Sequence, residues 1–258
     1  MKLSLITFVY ALLPALVSAA IFPSNTQVKM LDPKGFRKAM KENRTSVVAF
    51  VAPWCGHCQR MAPEYSKAAK SLHPLVPLYA VDCDVESNKR LCADQGVQGF
   101  PTVKLFPRGN QAPAKDYNQQ ERTSGRIIRW ASDGVPNKVK NLPTSNDIST
   151  WAGKNSYSPR VILLNKDKKS PLLWQVLGNN YWKKLSFGHH SDPSGNTAAT
   201  LGFEAEEKQS KVLVYLAGSE EPKLYDGLNK FEPLSQFFDS ILDGTADYMR
   251  QESPRDEL

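Results

Sequence analysis

Two cysteines two residues apart, Cys55 and Cys58, are the residues of this 258-residue chain best equipped to do chemistry. They follow the short apolar run Val47 to Val51, which reads as a buried strand, and they open a polar–apolar pattern of helical period. A Cys-x-x-Cys at a strand-to-helix turn can close a small ring, with the first thiol at the helix N-terminus. There the free N–H groups and the helix dipole favour thiolate over thiol. This reading makes Cys55 the attacking sulfur in thiol–disulfide exchange and Cys58, one turn further in, the group that resolves a mixed disulfide. Other chemistries fit less well. A zinc site would need a second Cys/His pair at ligand spacing, and Cys83 and Cys92 are too far apart to supply one. Haem attachment would need His after Cys58, where Gln59 stands. A plain structural bridge stays open, although so short a loop leaves little unfolded-state entropy to remove.

The longer stretch Ala52-Pro53-Trp54-Cys55-Gly56-His57-Cys58 resembles the active-site signature of the protein disulfide isomerase family, on a thioredoxin fold. The resemblance implies an enzyme that forms and rearranges disulfides, with Cys55 and Cys58 catalytic. Gly56 and His57 would support them, His57 by stabilising the Cys55 thiolate, and Trp54 would meet substrate. Gly99-Phe100-Pro101-Thr102 resembles the family's loop facing the cysteines, in which the proline is cis. That implies a supporting role for Pro101 and a backbone at Phe100 free to pair with an extended substrate. Arg122, eight residues before Trp130, is similar to a family arginine that approaches the resolving cysteine; a solvated arginine at a helix start is the alternative. Some relatives carry a disulfide in the segment that holds Cys83 and Cys92, which implies a structural bridge between them. One departure stands out. Where the family commonly has a buried glutamate and its lysine partner, this chain has Ala49 and Ala80. The resemblance further implies unfolded or misoxidised secretory proteins as clients, an upstream thiol oxidase or glutathione as redox partner, and no cofactor or metal beyond the dithiol. A covalent-trapping chaperone, or an oxidant that never isomerises, would use the same residues.

The elements that position these residues follow along the chain. Met1-Lys2, the apolar Leu3 to Val17 and the small Ser18-Ala19-Ala20 read as a signal peptide over residues 1–20. That run is shorter than the roughly 20 residues of a membrane span, so the protein is expected not to span one. At the other end Arg255-Asp256-Glu257-Leu258 resembles the Lys/His-Asp-Glu-Leu address, and together the two ends point to the lumen of the endoplasmic reticulum. Val28 to Leu31 predicts a first strand, and Asp32-Pro33 a helix start with Phe36, Ala39 and Met40 on its apolar face. Asn43-Arg44-Thr45 is a glycosylation sequon. Strands are expected at Leu75 to Val81, Val103 to Phe106 and Lys115 to Tyr117, with helices around Leu91-Cys92 and Arg126 to Ala131. By the resemblance this is an α/β thioredoxin domain over residues 24–137, with a linker at 138–150.

Residues 151–245 look like a divergent, inactive thioredoxin-like domain, followed by a tail at 246–258. Arg160 to Leu164 predicts a buried strand, Pro171 to Trp182 a helix, and Lys184 to Gly188 a short strand, with Trp174, Trp182 and Phe187 in the core. Lys211 to Gly218, Lys223 to Tyr225 and Phe231 to Leu242 then echo Val103 to Gly109, Lys115 to Tyr117 and the helix after them. Aligning Gly218 with Gly109 puts Ser210 at the place of Pro101, and this half has no cysteine, so it cannot do the chemistry. His189 and His190 are expected in a loop, with no ligand partner nearby. The formal net charge of +7 is spread through both halves without interleaved aromatic and basic residues, which argues against a nucleic-acid partner.

Overall fold

The computed structural model describes residues 21–154 and 156–246. The expected signal peptide and the Arg255–Leu258 address lie outside the described residues.

In the N-terminal half, β1 (Lys29–Met30), α1 (Pro33–Lys41), β2 (Ser46–Val51), α2 (Gly56–Leu72), β3 (Leu78–Asp82), α3 (Glu86–Asp94), β4 (Thr102–Asn110), β5 (Lys115–Asp116) and α4 (Ser124–Asp133) follow in order. They form a five-stranded mixed sheet in the order β1-β3-β2-β4-β5. Every residue of β2 is buried because the strand is covered on both faces. Alternate side chains divide between two cores: Val47, Ala49 and Val51 on the side of α2 and α4, Val48 and Phe50 on the side of α1 and α3. The start of α1 is fixed locally. Asp32 accepts a 2.6 Å hydrogen bond from the Gly35 N–H, and Pro33 sits where no N–H is needed. β3 begins at Leu78, three residues later than the apolar run, because Pro77 has no N–H to give the ladder.

The C-terminal half repeats the plan with β6 (Val139–Asn141), α5 (Ser145–Lys154), β7 (Arg160–Asn165), α6 (Leu172–Asn180), β8 (Ser186–Ser191), α7 (Asn196–Thr200), β9 (Lys211–Tyr215), β10 (Lys223–Tyr225) and α8 (Phe231–Asp243). Its order, β6-β8-β7-β9-β10, matches the first sheet strand for strand. β7 also divides between two cores, Val161 and Leu163 against Ile162 and Leu164. Ser210 directly precedes β9, as Pro101 precedes β4. Gly109 and Gly218 both take positive φ, 51° and 81°. At Gly109 a side chain would also run into the Met40 carbonyl.

Three expectations need correction. Residues 138–150 are not a linker: they hold β6 and the first turns of α5. β6 is a three-residue edge strand paired in parallel with β8, too short to write a period into the sequence. His189 and His190 are not in a loop but buried in β8. Their rings are satisfied by neighbours, His189 Nε2 by Asn165 Oδ1 at 2.9 Å and His190 Nδ1 by the Leu142 carbonyl at 2.6 Å. Trp182 is exposed rather than in the core, because it follows the end of α6 on a turn.

The two halves are packed together. Leu172, Val176 and Phe231 of the second half join the core of the first. Beside them, buried Arg108 donates through Nη1 to the Asn179 backbone carbonyl at 2.8 Å and its side-chain Oδ1 at 2.9 Å. Asn179 Nδ2 donates in return to Thr45 Oγ1 and the Pro107 carbonyl.

Candidate active site

β2 delivers the chain to the turn Ala52-Pro53-Trp54, and Cys55 is the N-cap of α2. Gln59 Nε2 donates to the Pro53 carbonyl at 2.8 Å, which ties the turn to the helix it opens. Both Cys55 and Cys58 are free thiols and both are buried. Cys55 Sγ accepts a 3.3 Å hydrogen bond from the Cys58 N–H, one of the otherwise unpartnered donors of the first turn. On its other side Cys55 Sγ donates to the Phe100 carbonyl at 3.5 Å. The Phe100–Pro101 peptide is cis, and the loop brings Phe100 against Trp54, ring centroids 5.9 Å apart and edge-on. Trp54 is 67% exposed beside the first cysteine, and its indole N–H is held by Asp84 Oδ1 at 3.0 Å.

The environments of the two thiols differ in sign. Burial pushes Cys58 up to about 12, and its hydrogen bond with Cys55 pushes the same way; the charge of Arg122 pulls against them. For Cys55 burial also acts upward, but it is outweighed. Hydrogen bonds from the Cys58 side chain and from the Cys58 and His57 backbones, with the Arg60 charge, hold it below an ordinary thiol. His57 therefore acts on Cys55 through its backbone N–H, while its ring is exposed. Gly56 is the first residue of α2. Arg122 lies half-buried just before α4 with its Nε unpartnered.

Cys83 and Cys92 form a disulfide from the end of β3 to α3, beneath the cysteine turn. The Cys83 N–H donates to the Val51 carbonyl at 2.8 Å, so the bridge and the active strand share a ladder. Two residues carry weight that the motif does not announce. Arg60 is one, through its charge on Cys55. The other is Glu64, whose carboxylate accepts from the Ser124 N–H at 2.8 Å and from Lys67, which holds its pKa down to about 2. It links α2 to the start of α4, near Arg122; only its place one turn and a half beyond Cys58 could have pointed to it. The C-terminal half has no counterpart: among the described residues no cluster of three His, Cys, Asp or Glu could hold a metal, and all four cysteines belong to the first half.

A mixed five-stranded sheet, a dithiol capping the helix after its central strand and a proline loop facing it define the thioredoxin class, and the thioredoxin family model matches residues 27–133. The chain is 39% identical over 164 residues to a thioredoxin domain-containing protein of Schizosaccharomyces pombe named as mitochondrial, covering 62% of this chain and 44% of that protein. It is 33% identical over 166 residues to protein disulfide-isomerase MPD1 of Saccharomyces cerevisiae, covering 58% and 52%. It is 39% identical over 216 residues to protein disulfide-isomerase A6 of Mesocricetus auratus, covering 78% and 46%. The chain thus spans about half the length of these curated relatives. Residues 27–133 thus form a thioredoxin domain, and over the part that aligns the chain is similar to proteins named protein disulfide-isomerase.

Proposed function

We propose that the protein is a thiol–disulfide oxidoreductase and isomerase acting on folding clients in the lumen of the endoplasmic reticulum. The observation that carries this reading is Cys55 capping α2, its sulfur within reach of both the Cys58 N–H and the Phe100 carbonyl. A client thiolate attacks Cys55 Sγ of the oxidised pair; the Cys55–Cys58 bond breaks, Cys58 leaves as thiolate, and a mixed disulfide forms. A second client thiolate then attacks that mixed disulfide, closes the client's bond and releases Cys55 as thiolate. In the reverse sense, reduced Cys55 attacks a wrong client disulfide, and Cys58 resolves it if the client does not. Phe100, with its carbonyl beside Cys55, offers backbone to an extended client, and exposed Trp54 offers an aromatic face.

The active unit is residues 24–137, and the cysteine-free half is a binding or spacing unit. Clients are unfolded or misoxidised secretory proteins, and a thiol oxidase or glutathione restores the dithiol's redox state. The luminal location draws support from the signal-like N-terminus, the Arg255–Leu258 address and the relatives named protein disulfide-isomerase. The mitochondrial name of the fission-yeast relative makes location worth testing directly. Among the described residues no helix is long and apolar enough to cross a membrane.

Insulin reduction and rescue of a scrambled-disulfide protein test the chemistry. Turnover in both, lost on Cys55→Ser, is expected; suppression of aggregation without thiol-dependent turnover would make the protein a holdase instead. Deleting residues 255–258 should release the protein from cells, and equal retention of both forms would remove the luminal-retrieval reading.

A further inference from the structure

A wide groove lies in the half without cysteines. It encloses about 1000 Å³ across the leading ends of β6, β7 and β8, between α5 and the turn that follows α6. Five lysines line it, Lys138, Lys140, Lys154, Lys183 and Lys184, against one acid, Asp147. That acid is already engaged: its carboxylate accepts from the Thr144 N–H and O–H at the start of α5. None of the five lysines makes an ion pair among the described residues.

The cations are also crowded. Trp182 carries three over one indole: Lys138 Nζ at 4.4 Å, Lys183 Nζ at 4.7 Å and the Arg108 guanidinium at 4.6 Å from the ring centroid. Lys183 sits there in a left-handed backbone conformation, φ 69°, that residues with a Cβ rarely adopt. Like charges gathered this closely repel, and an anion between them relieves the repulsion. Tyr157, 82% exposed, adds a second aromatic face to the wall.

We propose that this groove binds an extended, acidic segment of a partner polypeptide, its carboxylates on the lysines and its apolar side chains against Trp182 and Tyr157. A polypeptide fits better than a nucleic acid for two reasons. The groove sets apolar residues such as Leu142 and Leu185 in the same wall as its lysines, which favours a chain that carries both acidic and apolar side chains. Among the described residues β6 is also the outermost strand of its sheet, a position beside which an extended chain can add as a further strand. Arg108, which completes the cluster on Trp182, belongs to the cysteine half and is anchored to Asn179. A segment held here is therefore held on a surface tied to the catalytic unit. The proposal does not rest on the cysteine chemistry.

Fluorescence anisotropy on the full chain tests it, with a short labelled peptide of alternating glutamate and leucine as probe. Its counterpart with every glutamate replaced by lysine is the control, and a single-stranded oligonucleotide is the competitor. Wild type should bind the acidic peptide and not the lysine one, more weakly as salt rises. Lys140→Glu with Lys184→Glu should weaken binding about tenfold or more, and Tyr157→Ala by a smaller factor, with insulin reduction unchanged in both. Should the charge reversal disturb folding by circular dichroism, Lys154→Gln with Lys183→Gln neutralises exposed positions and should show the same loss. Equal binding of both peptides, undiminished binding by the folded variants, no binding by wild type, or tighter binding of the oligonucleotide than of the peptide would each overturn the proposal.

Discussion

Within one turn of α2 the protein holds two thiols in opposite states. Cys55 has the helix start to itself and a pKa below the ordinary thiol value, while Cys58 is buried and raised to about 12. Cys55→Ser should therefore abolish reduction and isomerisation, and Cys58→Ser should leave attack intact but accumulate mixed disulfides on non-reducing gels. Near-normal turnover of Cys55→Ser would reverse these roles. The pH dependence follows with its sign. Cys58 titrates far above neutrality, so its thiolate fraction grows tenfold per pH unit. The log of the mixed-disulfide release rate should rise with slope near one from about pH 6 to about pH 9. Alkylation of Cys55 should level off at lower pH. Because the Arg122 charge favours the Cys58 thiolate, Arg122→Ala should slow release across that range without moving the alkylation profile. A flat release profile in stopped-flow measurements would mean that another group takes the proton. The cysteine turn was legible in the sequence because strand, turn and helix start are local. Glu64 was not: its partner at Ser124 is sixty residues away, and nothing in the local pattern joins them.

Among the elements, β2 and β7 were the most legible, since strands covered on both faces read as unbroken apolar runs. β8 was misread past Gly188 because its buried positions include His189 and His190, whose polarity signals a loop unless their hydrogen bonds are known. The β2–β3 ladder bears on the chemistry. Ala49 and Ala80 are directly opposite each other in it, both fully buried, at the two positions where a buried Glu and its Lys would be expected. Ala49→Glu alone should cost about 1–3 kcal/mol for an imperfectly satisfied carboxyl in that core. Adding Ala80→Lys should recover part of the loss and speed release from Cys58. Equal release rates in parent and folded double variant would show that Cys58 needs no such help. The Cys83–Cys92 bridge closes a short loop from β3 to α3, and its removal should cost about 2–3 kcal/mol in the chain-entropy model. It should leave the Cys55–Cys58 reduction potential in place, and a thermal melt paired with a redox titration separates the two effects.

At the scale of the whole molecule, the repeat of one sheet order in both halves could be followed in the sequence only through its last strands and helix, where Val103 to Gly109 is echoed by Lys211 to Gly218. How the halves meet could not, because the clasp joins Thr45, Pro107, Arg108 and Asn179 from distant parts of the chain. Asn179 is fully buried and serves both partners, accepting from Arg108 and donating toward Thr45 and Pro107. Asn179→Ala keeps the backbone acceptor but removes the side-chain amide, leaving a buried guanidinium short of one partner and Thr45 short of a donor. A loss of about 1–3 kcal/mol follows for groups stranded in this way. Because Leu172, Val176 and Phe231 still bridge the cores, each half should keep its own fold, and the damage should appear at the junction. Limited proteolysis should then cut faster between α4 and β6, and the melting transition should fall or split in two, while insulin reduction changes little. Unchanged cleavage and melting in Asn179→Ala would mean that apolar contact alone holds the halves, and that the polar clasp sets their register without adding to their stability.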